Sequence, residues 1–80
     1  MKIRLLILGA TGMLGNALLR YFSGMDGFDV HGAVRTNDAS VILSRHSNCQ
    51  VIVGVDMENA DHLLRVFDQV QPDVVVNCVG

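Results

Sequence analysis

The sequence predicts an α/β fold in which a doubly wound parallel sheet is covered by helices on both faces. Three observations carry this prediction. Four short runs rich in branched aliphatic residues, Ile3–Leu8, Phe28–Val34, Val51–Val55 and Asp73–Val79, recur along the chain. Runs such as Leu5-Leu6-Ile7-Leu8 and Val74-Val75-Val76 do not alternate with polar residues, and a strand apolar on both faces belongs in a sheet covered on both sides. The segments between the runs have helical period, and strands alternating with helices imply right-handed crossovers between parallel neighbours.

Taken in order, Ile3–Leu8 is the first strand, and it runs directly into a glycine turn. A helix follows, with Met13, Leu14, Ala17, Leu18 and Tyr21 as its expected apolar stripe. Phe28–Val34 is the second strand. The connector from Thr36 to Asn48 reads as a short helix around Ala39–Arg45, with Asp38 as its cap. Val51–Val55 is the third strand. The last helix has Leu63, Leu64, Phe67 and Val70 as its stripe, Asn59 as N-cap and Pro72 as its stop. Asp73–Val79 is the fourth strand, and the pattern β-α-β-α-β-α-β gives an expected spatial order of 3-2-1-4. That order leaves the valine-rich last strand at a sheet edge, which natural proteins rarely leave uncovered. The expectation is therefore that residues 1–80 are the N-terminal portion of a longer protein.

Composition bounds the function. With 80 residues the chain holds one small domain, and with 50% hydrophobic and 18% charged residues it is built to pack rather than to remain disordered. The net charge is −2, and the six cations (Lys2, Arg4, Arg20, Arg35, Arg45 and Arg65) are dispersed, which argues against nucleic acid or an anionic membrane as partner. No apolar stretch reaches the length of a membrane span, and the apolar run at the N-terminus is too short for a signal peptide. The two cysteines, Cys49 and Cys78, show no metal-ligand spacing and read as reduced, buried thiols of a cytoplasmic protein.

The chemistry concentrates in Gly9-Ala10-Thr11-Gly12-Met13-Leu14-Gly15. Gly9 lets the chain turn sharply, Gly12 lacks the Cβ that would hold backbone away from a pyrophosphate, and Gly15 permits close helix–strand packing. The N–H groups of Gly12, Met13 and Leu14 are expected to point at phosphate oxygens, aided by the helix dipole. No Lys-Ser or Lys-Thr follows Gly15, so this is not a Walker A loop. Following a buried strand and opening a helix, the turn reads as a nucleotide-binding turn of Rossmann type. A glycine turn needed only for packing is the competing explanation.

The spacing Gly-x-x-Gly-x-x-Gly resembles the cofactor motif of the extended short-chain dehydrogenase/reductases, the NAD-dependent epimerase/dehydratase superfamily. Within them the chain is most similar to the sugar-nucleotide group typified by dTDP-4-dehydrorhamnose reductase. The resemblance continues at Gly54-Val55-Asp56-Met57 and at Gln71 to Gly80, so three motifs span the chain. The first two are shared across the superfamily and speak to cofactor more than to substrate.

Arg35 ends the second strand, twenty residues beyond Gly15. An acid near this place bonds the ribose 2′-hydroxyl of NAD, whereas an arginine accommodates the 2′-phosphate of NADP. Arg35 therefore predicts NADP(H) in preference to NAD(H), with Thr36 adding a hydroxyl contact. An ordinary surface arginine at a strand end is the alternative. By resemblance, Asp56 accepts the adenine amino group and the backbone of Met57 contacts the ring. Equally, Asp56 could serve only the start of the following helix. Where the family carries a small-residue stretch along the cofactor, this chain has Asn77-Cys78-Val79-Gly80. Cys78, Val79 and Gly80 would border the cofactor, with Val79 bulkier than the pattern, and Asn77 would act as a structural hydrogen-bonder. His31 in a strand, His46 in the connector and His62 on the exposed face of the last helix read as solvated or locally bonded. Asp26 and Asp29 read as turn residues.

The resemblance also implies a catalytic Tyr-x-x-x-Lys pair, in which the tyrosine donates a proton and the lysine lowers its pKa. The one tyrosine here is Tyr21, followed four residues later by Met25, and the one lysine is Lys2. These residues alone are thus expected to bind a nicotinamide dinucleotide without catalysis. The catalytic and substrate-binding part, through which a homodimer could form, would lie C-terminal to them. The implied parent is a reductase or epimerase acting on a nucleotide-linked keto-sugar. The alternative is a non-catalytic NADP-sensing module, and a Tyr-x-x-x-Lys beyond Gly80 would separate the two.

Overall fold

A computed structural model describes residues 1–10, 12–35 and 49–79. Thr11, Thr36, Gly80 and the connector with its expected helix, Asp38 and His46 lie outside the described residues. The elements in chain order are β1 (Ile3–Leu8), α1 (Met13–Ser23), β2 (Phe28–Ala33), β3 (Gln50–Ile52), α2 (Ala60–Val70) and β4 (Val74–Asn77). All neighbouring strands pair in parallel in the order β3-β2-β1-β4, as the sequence predicts. The register sets Ile7 between Gly32 and Val76, and Leu6 between His31 and Val75.

Because β1 is central, both of its faces are buried, and its unalternating sequence follows from that position. Leu5 and Ile7 join Val30, Val34 and Leu19 of α1 on one face. Leu6 and Leu8 join Ala33, Val55 and the α2 residues Val66 and Val70 on the other. Asp73 ties the start of β4 to β1 twice. Its N–H donates to the Arg4 carbonyl and its carboxylate accepts the Arg4 N–H, both at 2.9 Å. β4 has no further strand beside it among the described residues, and Val74 and Val75 are 46% and 41% exposed.

Both helices start where the sequence places them, but each presents a different face from the expected one. α1 buries Gly15 and Leu19 and leaves Met13, Leu14 and Tyr21 exposed. The reason is steric: a Cβ on Gly15 would collide with the Gly9 carbonyl oxygen, so this glycine is the closest point between helix and strand and fixes the helix rotation. α2 buries Val66 and Val70, with Leu63 and Phe67 packed partly against them, and exposes Leu64. The inward set is therefore i, i+3, i+4 and i+7 from Leu63. Asn59 caps α2 as expected, its Oδ1 accepting the N–H groups of Asp61 and His62 at 2.9 and 3.3 Å. Gln71, in the left-handed region at φ 50°, closes the helix before Pro72.

Three further expectations are corrected. β3 is three residues rather than five, because Gly54 at φ +74° breaks the strand. Asp29 lies in β2 rather than in a turn, 3.4 Å from Nε2 of the buried His31. Both cysteines are free but only half-buried, and burial still pushes the Cys49 thiol above its usual range, opposed by a hydrogen bond with Ser23. No described helix is long and apolar enough to cross a membrane.

Two glycines predict opposite outcomes on substitution by alanine. Gly15→Ala places a methyl group against backbone that cannot yield and should cost about 1–3 kcal/mol, as overpacking does. Gly27 has nothing within 4 Å of an added Cβ, so Gly27→Ala should stabilise by about 0.4–1 kcal/mol through the unfolded chain. Thermal unfolding of the two variants beside the wild type checks both signs. Asn59→Ala, measured in the same way, should cost about 1 kcal/mol through loss of the α2 cap.

Candidate functional site

The carboxyl ends of β1, β2 and β4 and the loop from β3 to α2 meet around one open cleft of about 270 Å³. Parallel strands deliver all their C-terminal loops to the same edge, so residues distant in sequence converge there. Gly9, Gly12, Arg35, Asp56, Met57, Cys78 and Val79, all singled out in the sequence, line the cleft together with Val34, Val55 and Glu58.

Each strand end has its own restraint. Gly9 turns at φ +76°, and the N–H groups of Gly9 and Ala10 both donate to the Ala33 carbonyl. The chain then enters α1 through Gly12, which is extended at φ −69°, ψ 165°. The Gly12 N–H donates to the Gly9 carbonyl at 3.1 Å, so it is engaged within the turn and does not point at a ligand as expected. α1 has no side-chain cap at Gly12, and among the described residues its first-turn amides of Met13 and Leu14 have no partner, as at the start of any uncapped helix. Met13 and Leu14 turn their side chains outward, 94% and 62% exposed, and neither lines the cleft, which Gly12 just before them does.

The glycines differ in why they are glycines. At Gly9 a Cβ would lie 3.1 Å from the Cys78 carbonyl carbon, and at Gly15 it would strike the Gly9 carbonyl. At Gly12 the nearest atoms are the carbonyl oxygens of Gly9 at 3.5 Å and Cys78 at 3.9 Å, which is ordinary contact, and φ is ordinary too. Among the described residues, packing therefore requires Gly9 and Gly15 but not Gly12. Gly12 lines the cleft, so a side chain there would occupy space the protein itself does not need.

β2 and the loop after β3 are stitched together at the next part of the rim. The Val34 N–H donates to Ile52, and the Val55 N–H donates back to Val34 at 3.0 Å. The exposed Arg35 leaves from this stitch. Asp56 follows it, with its carboxylate Oδ1 accepting the Glu58 N–H at 3.0 Å and its carbonyl accepting the Asn59 N–H at 3.0 Å. The Asp56 side chain thus shapes the approach to α2, while Asn59 makes the cap. Met57 packs partly against the Leu6, Leu8 and Val66 side of the core. At β4 the Cys78 N–H donates to the Leu8 carbonyl at 2.9 Å, and Asn77 Oδ1 accepts the Val79 N–H at 3.0 Å, a structural role for Asn77.

Two residues escaped the sequence reading. Glu58 adds a second carboxylate to the cleft wall, and nothing in its spacing marks it. His62 is half-buried rather than exposed, and its Nδ1 accepts the Asp56 backbone N–H at 3.1 Å. A bond from a backbone amide to a ring six residues away leaves no trace in hydrophobic periodicity.

Solved structures share this architecture. PbgP3 protein from Burkholderia pseudomallei superposes with a TM-score of 0.74 at 21% identity, covering 100% of this chain and 23% of that one. A phenylalanine-to-tryptophan variant of actinorhodin polyketide ketoreductase, solved with NADPH, superposes with a TM-score of 0.79 at 19% identity, covering 99% of this chain and 33% of that one. The chain thus spans 23% and 33% of the length of these two proteins, and at such identities the likeness is one of fold. No curated protein matches the sequence. The model of the NAD dependent epimerase/dehydratase family matches residues 5–80, which takes in every strand end on the cleft. The chain belongs to the NAD dependent epimerase/dehydratase family, whose cofactor is a nicotinamide dinucleotide.

Proposed function

We propose that this chain is the NADP(H)-binding portion of a reductase or epimerase that acts on a nucleotide-linked keto-sugar. The observation that carries the cofactor reading is the glycine at position 12, which packing among the described residues does not require and which leaves the cleft clear next to the first-turn amides of α1. Those amides, with the positive end of the helix dipole, suit a pyrophosphate. Arg35 on the rim suits the 2′-phosphate, which a guanidinium grips through two parallel hydrogen bonds. Asp56 suits the adenine amino group, since its second carboxylate oxygen is not the one that holds Glu58. Cys78 and Val79 line the same cleft. When bound, a nicotinamide dinucleotide supplies or accepts hydride. The proton donor and the sugar pocket belong to sequence other than these residues. The sugar-nucleotide assignment rests on the resemblance at Gly54–Met57 and Gln71–Gly80.

Calorimetric titration of the full chain with NADPH and NADH tests the cofactor. The expected result is a preference for NADPH of about 10- to 150-fold, the span of one charge-assisted hydrogen bond. Arg35→Ala should abolish the preference while leaving NADH affinity nearly unchanged. Gly12→Ala should melt like the wild type yet lose affinity for both dinucleotides. Equal affinity for NADPH and NADH in the wild type would overturn the role of Arg35, and undiminished binding by a folded Gly12→Ala variant would overturn the cradle. Oxidation of NADPH by the full-length protein with a nucleotide-linked 4-keto-sugar, and not with the free sugar, is the expected result for the substrate.

A further inference from the structure

The imidazole of His62 stands outside the cleft. It lines a separate hollow of about 180 Å³ with Ile52, Gly54, Arg65 and Gln69, yet it holds a residue of the cleft wall. Its Nδ1 accepts the Asp56 N–H at 3.1 Å, and the bond is partly shielded from water. An imidazole nitrogen that accepts carries no proton, so in this arrangement the ring is neutral with its proton on Nε2. The bond closes a ring of restraints. His62 Nδ1 holds the Asp56 N–H, the Asp56 carbonyl holds the Asn59 N–H, and Asn59 Oδ1 holds the N–H of His62 itself. Within that ring lie Asp56 and Met57, both on the cleft.

We propose that His62 is a positioning residue for the dinucleotide site: by accepting the Asp56 N–H at Nδ1 it holds the Asp56–Met57 segment against the cleft, and loss of that acceptor weakens dinucleotide binding. This inference rests on the proposed cofactor reading.

The test is NADP⁺ affinity of the full chain at about pH 8, above the ordinary imidazole range, for wild type, H62N and H62A. Asparagine offers a side-chain oxygen in place of Nδ1. H62N should bind like the wild type and H62A about 2- to 13-fold more weakly, the span of one hydrogen bond. Amide hydrogen exchange gives a readout independent of ligand: the Asp56 N–H should be protected in wild type and H62N at pH 8 and unprotected in H62A. Binding by H62N as weak as that of H62A, or undiminished binding by H62A, would overturn the positioning role while leaving the cofactor reading in place. Absence of binding by a folded wild-type chain would overturn both.

Discussion

The carbonyl oxygen of Gly9 lies where a side chain of residue 15 would begin, and this contact without side chains governs the molecule. It brings α1 against the end of β1 at backbone distance and fixes the rotation of the helix. With Gly15 facing inward, Leu19, one turn later, falls over Gly32 of β2, where an added Cβ would come within 2.5 Å of the leucine methyl. The same rotation turns Met13 and Leu14 outward, away from the cleft, which Gly12 before them lines. A packing constraint thus leaves a glycine rather than a side chain where α1 meets the cleft. Such a surface suits a phosphate group better than an apolar ligand.

The opposite half of the cleft is built on another principle. β3 is short and ends before Gly54, so the backbone beyond it cannot rely on a ladder. Discrete hydrogen bonds hold it instead: Val55 to Val34, Glu58 to the Asp56 carboxylate, Asn59 to the Asp56 carbonyl and Asp56 to His62. Each is worth only about 0.5–1.5 kcal/mol net, so this half is easier to displace than the half organised by Gly15.

The fold was legible because the central strand is apolar on both faces and leads straight into its turn. β1 spans Ile3–Leu8 as read, and the strand order follows from the alternation of elements. Helix faces were less legible. In α1 the deciding contact is made by a glycine, which contributes nothing to an apolar stripe, so Met13, Leu14 and Tyr21 drew the eye to the exposed side. In α2 two overlapping stripes share Leu63, Phe67 and Val70, and the choice of Leu64 over Val66 missed the i, i+3, i+4, i+7 set. Most of the cleft could be read because a parallel sheet sends every strand's C-terminal residue to one edge. Glu58 and His62 could not, since one enters through loop curvature and the other through a bond to backbone.

On the proposed reading, the two halves divide recognition between them. The phosphates meet donors whose positions are fixed by backbone contact, so changes there act on folding as well as on binding. The adenosine end meets Arg35, Asp56 and Glu58, whose charges are of mixed sign and whose loop is held by hydrogen bonds. Changes there act on affinity and selectivity with little effect on the core, because none of the three belongs to either buried cluster. A site so divided can alter which dinucleotide it prefers, or how tightly it holds one, without disturbing the helix–strand contact on which the fold depends. On that reading Arg35 sets preference by charge, and on the proposed positioning role His62 sets tightness through the geometry of Asp56. The two can therefore vary independently.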